Sequence, residues 1–217
     1  MLVGADEAGK GPALGPMVAG AVRADRADLP SGLDDSKKLS PARREELATA
    51  LRAHPDIRVA VATVPPERID DPETDMNSLG VAAQAEAVTA VAEPGDDLFA
   101  DAADTDAERF GRRLRDTILD GDGSALEVTA EHGADESYPV VSAASVVAKV
   151  ERDRLMAEID EEHGRAIGSG YPSDPTTRSF LEGYVAEYGE LPACARASWA
   201  TCEDVLVAAE QSGLEEF

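Results

Sequence analysis

Leu2-Val3-Gly4-Ala5-Asp6-Glu7-Ala8-Gly9-Lys10-Gly11-Pro12 is the stretch on which the reading of this chain turns. A short apolar run delivers two adjacent carboxylates and then a glycine-rich turn. Successive side chains of a strand point to opposite faces, so Asp6 and Glu7 are expected to face one way only if the strand ends between them. Gly9 and Gly11 supply such an ending. They permit positive φ and let a phosphate approach the backbone, with Lys10 held between them as a cation. Two acids, a glycine, a cation and a glycine suit a site that holds Mg²⁺ beside a nucleic-acid backbone. An edge strand followed by a polar turn would read the same way at this point.

The chain has 217 residues, enough for one domain with an appendage and for a substantial core. Hydrophobic residues reach 43% while aromatics stop at 4%, so the core is expected to be built from Ala and Val. A net charge of -24 would ordinarily argue against a nucleic-acid partner, since phosphate binding rests on Lys and Arg. Acid excess spread along the chain is also the pattern of a protein working in molar salt, where repulsion is screened within about 3 Å. The placement of the cations then says more than their sum. The lysines are Lys10, Lys37, Lys38 and Lys149, and each falls in a stretch that stands out on other grounds. Cys194 and Cys202 lack any zinc-type spacing and are expected to be reduced structural thiols. No leader pattern and no apolar run of about 20 residues is present, so a cytoplasmic protein is expected.

Residues 1 to 6 read as a strand, Pro16 to Arg23 as a second, and Ile57 to Val64 as a third, an antiparallel meander. Ser40 followed by Pro41 marks the start of a helix over Ala42 to Ala53. Pro65 to Met76 reads as irregular, and Asn77 or Ser78 as the cap of a helix running to about Val91. Leu98 to Ala100 is a short strand ending at Asp101. Thr105 to Leu119 is a helix with Phe110 and Leu114 on one face and arginines on the other. Leu126 to Ala130 is a fifth strand, with Asp135 in the following loop, and Ser142 to about His163 is the longest helix. After the rigid turn Gly168 to Pro175, two more helices follow over Thr176 to Tyr188 and Ala197 to Glu210. The sum is an α/β chain with a mixed five-stranded sheet flanked by helices and a helical C-terminal appendage.

Asp6, Glu7, Asp101 and Asp135 stand out because each sits where a strand or its following loop ends. Sequence-distant carboxylates converging at one sheet end would hold two divalent cations, with water as nucleophile. Asp104, Asp106 and Glu136 are rivals at this stage, and in a chain with 44 acids any one acid taken alone reads as a solvated surface charge; only the joint placement makes the case.

Five stretches then resemble one family in its order: DEAGKGPALGPMVAGAV at Asp6 to Val22, DSKKLS at Asp35 to Ser40, ADAADTDAERF at Ala100 to Phe110, ADESYPVVSAASVVAKVERDR at Ala134 to Arg154, and GSGYPSDP at Gly168 to Pro175. The chain resembles ribonuclease HII, type 2 ribonuclease H, in its archaeal form and with a halophile's composition. That resemblance implies an RNase H-like catalytic domain over 1–165, a helical substrate-binding appendage over 166–208 and a tail over 209–217. It implies Asp6, Glu7, Asp101 and Asp135 as catalytic, metal-binding acids for two ions, Mg²⁺ or Mn²⁺. It implies that Gly9-Lys10-Gly11 senses a ribose 2′-hydroxyl through backbone groups and that Tyr171 stacks at the junction between ribonucleotide and deoxyribonucleotide. Most members carry Arg where this chain has Lys10, which keeps the charge and loses the planar fork. Lys37, Lys38, Lys149 and Arg152 then read as phosphate contacts.

The implied activity is an endonuclease that cleaves the RNA strand of RNA–DNA hybrids and incises 5′ of ribonucleotides embedded in duplex DNA, acting as a monomer. The last seven residues place Gln211, Leu214 and Phe217 at a spacing that resembles the peptide with which archaeal replication proteins dock on the sliding clamp. A frayed acidic tail is the plainer reading. The rivals are a type 3 enzyme, which normally carries an additional N-terminal substrate-binding domain, and a non-catalytic binding module for nucleic acid or the clamp.

Overall fold

The computed structural model describes residues 1–33, 39–121, 123 and 125–215, with side chains described as far as Gln211. Lys37, Lys38 and Phe217, and the side chain of Leu214, lie outside the described residues. Two compact units emerge. The first comprises Met1–Ala8, Val18–Thr63 and Asp75–Arg152, and the second Gly9–Met17, Val64–Thr74 and Asp153–Phe217.

The first unit is built on a five-stranded sheet. Its strands are β1 (Leu2–Ala8), β2 (Met17–Ala24), β3 (Arg58–Val64), β4 (Asp97–Asp101) and β5 (Glu127–Glu131), in the spatial order β3-β2-β1-β4-β5. β1 pairs antiparallel with β2 and parallel with β4, and β4 is parallel to β5, so the sheet is mixed. Helices α1 (Pro41–Ala53), α3 (Met76–Thr89), α4 (Ala107–Asp120), the short α5 (Ala134–Ser137) and most of α6 (Pro139–His163) complete the unit. Ser40 caps α1 as expected, its hydroxyl accepting from the Arg43 N–H at 3.3 Å.

The scarcity of aromatics has a structural counterpart where α6 meets β1 and β2. A methyl group on Gly4 would overlap the Val140 carbonyl, and one on Gly20 would lie 2.6 Å from the Ala144 carbonyl oxygen. Gly20 is opposite Asp6 in the antiparallel register. Bare backbone at these two positions lets α6 lie directly on the sheet beside Asp6. The surrounding core is small and aliphatic, with Val22, Ala143, Ala144, Val146 and Val147 all fully buried.

The second unit has its own core of Leu14, Ile167, Phe180, Leu181 and Cys202, around α7 (Pro175–Tyr188) and α8 (Ala200–Glu215). Burial pushes the Cys194 thiol up to about 12 and the Cys202 thiol to about 11, so both are protonated, inert residues. Among the described residues no helix is long and apolar enough to cross a membrane.

Four expectations need correcting. β1 does not end between Asp6 and Glu7 but continues to Ala8, because its pairing with β2 runs unbroken to Ala8↔Val18. Residues Pro66–Ile69 form a one-turn helix, α2, inside the stretch read as irregular. The cap of α3 is Asp75, whose carboxylate accepts from the N–H groups of Asn77 and Ser78 at 2.9 and 3.1 Å. Asp135 lies within α5 and not in a loop, and α6 begins at Pro139, whose ring suits the first turn of a helix.

Gly20→Ala should lower stability by about 1–3 kcal/mol, since the added methyl meets main chain that cannot move aside. Thermal and denaturant unfolding of the variant checks this.

Candidate active site

Asp6 is 5% exposed on β1. Burial is the main force on its carboxyl, pushing the pKa well above the usual carboxylate range, and the charges of Glu7 and Asp101 push it the same way. The Ser145 hydroxyl and the Lys149 ammonium act in the opposite sense. Lys149 in turn donates to the Ser145 hydroxyl one turn before it on α6, so a cation reaches toward the acid through a hydroxyl.

Glu7 takes the other face of the sheet, as strand alternation requires. There the Gln84 side chain of α3 donates from Nε2 to Glu7 Oε2 at 2.6 Å and to the Asp101 carbonyl oxygen at 3.1 Å. Asp101 ends β4 next to β1, and its Oδ1 accepts from the Ala134 N–H at 3.0 Å. That bond ties it to the start of α5, where Asp135 is buried. Asp6, Glu7 and Asp101 are therefore gathered at one end of two parallel strands, with Asp135 on the helix fastened to Asp101.

Among the described residues no three His, Cys, Asp or Glu side chains converge closely enough to enclose a metal ion. The donor set nonetheless fits a hard divalent cation: its atoms are carboxylate oxygens, and Asp6 pays for burial and like charge that such an ion would relieve. Asp104 is placed differently. Arg109 holds its carboxyl in a two-point ion pair at 2.5 and 3.0 Å, which keeps its pKa well below the usual carboxylate range. Asp106 caps α4 through the Arg109 N–H at 2.9 Å, and Glu136 is exposed.

In the second unit the Gly9-Lys10-Gly11 turn is held from behind by two residues that sequence reasoning missed. Arg196 is fully buried and donates to the carbonyls of Gly9, Lys10 and Gly15 at 2.6, 3.0 and 2.9 Å. Trp199, 5.0 Å under the guanidinium, donates its indole N–H to the Gly11 carbonyl at 3.1 Å. In trans peptides the N–H lies opposite the C=O, so the N–H groups of Lys10 and Gly11 are turned away from Arg196. Tyr171 is 43% exposed, so it is no core side chain, and its ring carbon would be 3.7 Å from a methyl on Gly11. Arg152, expected among the phosphate contacts, is buried on α6, and Gln211 is exposed on α8.

The sequence matches the family described as Ribonuclease HII over residues 3–202. It is 58% identical to a ribonuclease HII of Haloarcula marismortui over 217 residues, covering 100% of both chains. The chain belongs to the ribonuclease HII family. It is a ribonuclease H enzyme, which sets aside the non-catalytic binding module. A crystal structure of the ribonuclease H2 from Pyrococcus horikoshii superposes with a TM-score of 0.87 at 35% identity, covering 97% of this chain and 99% of that one. A ribonuclease HII from Archaeoglobus fulgidus, solved in a complex with PCNA, gives 0.82 at 39% identity, covering 94% of this chain and 96% of that one.

The turn that carries Tyr171 depends on Asp174. Its carboxylate accepts from the Ser169 and Thr176 N–H groups at 2.7 and 2.9 Å, which lowers its pKa from 3.8 to about 2. A depressed carboxylate stabilises the fold above its unfolded pKa and loses that effect as pH falls through the folded value. Asp174→Ala should therefore melt below the wild type at neutral pH, and the gap should close as pH falls from 3.8 through about 2. Melting curves of both proteins across that range provide the check.

Proposed function

We propose that this chain hydrolyses the RNA strand of RNA–DNA hybrids and incises duplex DNA 5′ of embedded ribonucleotides, with two divalent ions, Mg²⁺ or Mn²⁺, held by Asp6, Glu7, Asp101 and Asp135. The observation that carries this reading is the crowding of Asp6, a buried carboxylate pressed by Glu7 and Asp101. When bound, the ions supply Lewis acidity that activates a water and steadies the departing oxygen. The chain's own residues do the placing. Asp101 is fixed by the Ala134 N–H, and Lys149 acts on Asp6 through Ser145.

The N–H groups of Lys10 and Gly11, on the side of their peptides away from Arg196, suit a ribose 2′-hydroxyl, which accepts as well as donates. Their direction is set by Arg196, which holds the Gly9 and Lys10 carbonyls of the same peptides. The exposed ring of Tyr171 is available to stack at the junction, and Lys10, Lys37, Lys38, Lys149 and Arg152 contribute positive charge along the phosphates. Residues 1–165 serve as the catalytic part and 166–208 as the substrate-binding appendage. The tail docks on the sliding clamp through Gln211, Leu214 and Phe217, a reading supported by the Archaeoglobus fulgidus relative solved with PCNA.

Asp6→Asn should abolish Mg²⁺-dependent cleavage of a duplex with one embedded ribonucleotide while hybrid binding persists. Retained cleavage would refute the role of Asp6. Arg196→Met should lower kcat/KM on the same substrate by about 100-fold through displacement of the glycine turn, with Mn²⁺ uptake unchanged. Steady-state kinetics and calorimetry separate the two, and unaltered kinetics would show that the turn needs no support from behind.

A further inference from the structure

Gln84 is an uncharged residue in the middle of α3 with no exposure to solvent. One nitrogen, Nε2, serves two acceptors on different strands: Glu7 Oε2 on β1 at 2.6 Å and the main-chain oxygen of Asp101 on β4 at 3.1 Å. Both partners are acceptors, so the amide must present its NH₂ to them, and the opposite orientation would set oxygen against oxygen. The consequence is a cost elsewhere. Gln84 Oε1 is left buried without a hydrogen-bond partner among the described residues. A helix position that tolerates an orphaned carbonyl needs something from the nitrogen.

We propose that Gln84 is a positioning residue that fixes the Glu7 carboxylate against the end of β4 so that it acts together with Asp101. Because strand alternation sends Glu7 to the face opposite Asp6, its long side chain needs an anchor to remain at the strand end. The amide span between its two acceptors keeps the Glu7 carboxylate beside the Asp101 backbone. A neutral donor is the fitting group. Lysine or arginine at this position would hold Glu7 equally well but would cancel the charge that a cation needs, whereas the amide orients the carboxylate and leaves it anionic. This inference rests on the reading of Asp6, Glu7 and Asp101 as ion-binding acids.

Gln84→Met preserves length and burial while removing both the donor and the orphaned oxygen, so the fold should melt close to the wild type. Mn²⁺ affinity, measured by calorimetry on the protein without nucleic acid, should weaken about 10- to 100-fold. On a hybrid substrate kcat should fall at low Mn²⁺, with KM for the hybrid unchanged, and saturating Mn²⁺ should restore much of it. Gln84→Asn, too short to reach both acceptors, should behave alike and serves if the methionine variant fails to fold. Mn²⁺ affinity within twofold of the wild type, tighter binding, or a change confined to KM would overturn the proposal. If the wild type bound no Mn²⁺, the reading of the acids would fall first. A wild type that binds it beside an unaltered Gln84 variant sinks the role of Gln84 alone.

Discussion

The carboxylate of Asp6 is carried into the interior by β1, beneath a helix that Gly4 and Gly20 admit to backbone contact. Burying a carboxylate beside two others is unfavourable, and the ammonium of Lys149, reaching it through Ser145, opposes that cost from the α6 side. Much of the first unit follows from this constraint. The core beneath α6 must be made of small residues, since larger ones would lift the helix and take Ser145 and Lys149 away from the acid. Low aromatic content and a charged site are two aspects of one packing arrangement.

The second unit solves the inverse problem. A fully buried guanidinium, Arg196, is satisfied by main-chain carbonyls of the glycine turn. Those bonds stabilise the cation and at the same time decide which way the peptides face. Both sites therefore use a buried charge to impose direction. In the first unit the burial is left partly uncompensated, which favours a cation from outside, while in the second the chain compensates it internally with the carbonyls of the glycine turn.

The elements that position the acids were legible because short apolar runs end at Asp101 and precede Asp135, and because Ser40-Pro41 announces a helix. The alternation rule was correct for Asp6 and Glu7, but its premise that both must face one way was not. β1 runs on, the two side chains take opposite faces, and Gln84 accommodates the second. Nothing local in the sequence marks Gln84, since a glutamine on an alanine-rich helix reads as helix surface. Arg196 and Trp199 lie more than 180 residues from the turn they support, a relation that only tertiary structure reveals. Residue types and spacing alone left Asp104 level with its neighbours; the family resemblance passed over it, and its ion pair with Arg109 gives the physical reason.

The most direct test of the account is a crystal structure of the wild-type chain soaked with Mn²⁺. Anomalous peaks are expected within coordination distance of Asp6, Glu7 and Asp101, with Asp135 drawn in from α5. Peaks elsewhere, or an acid cluster that stays empty at saturating Mn²⁺, would contradict it.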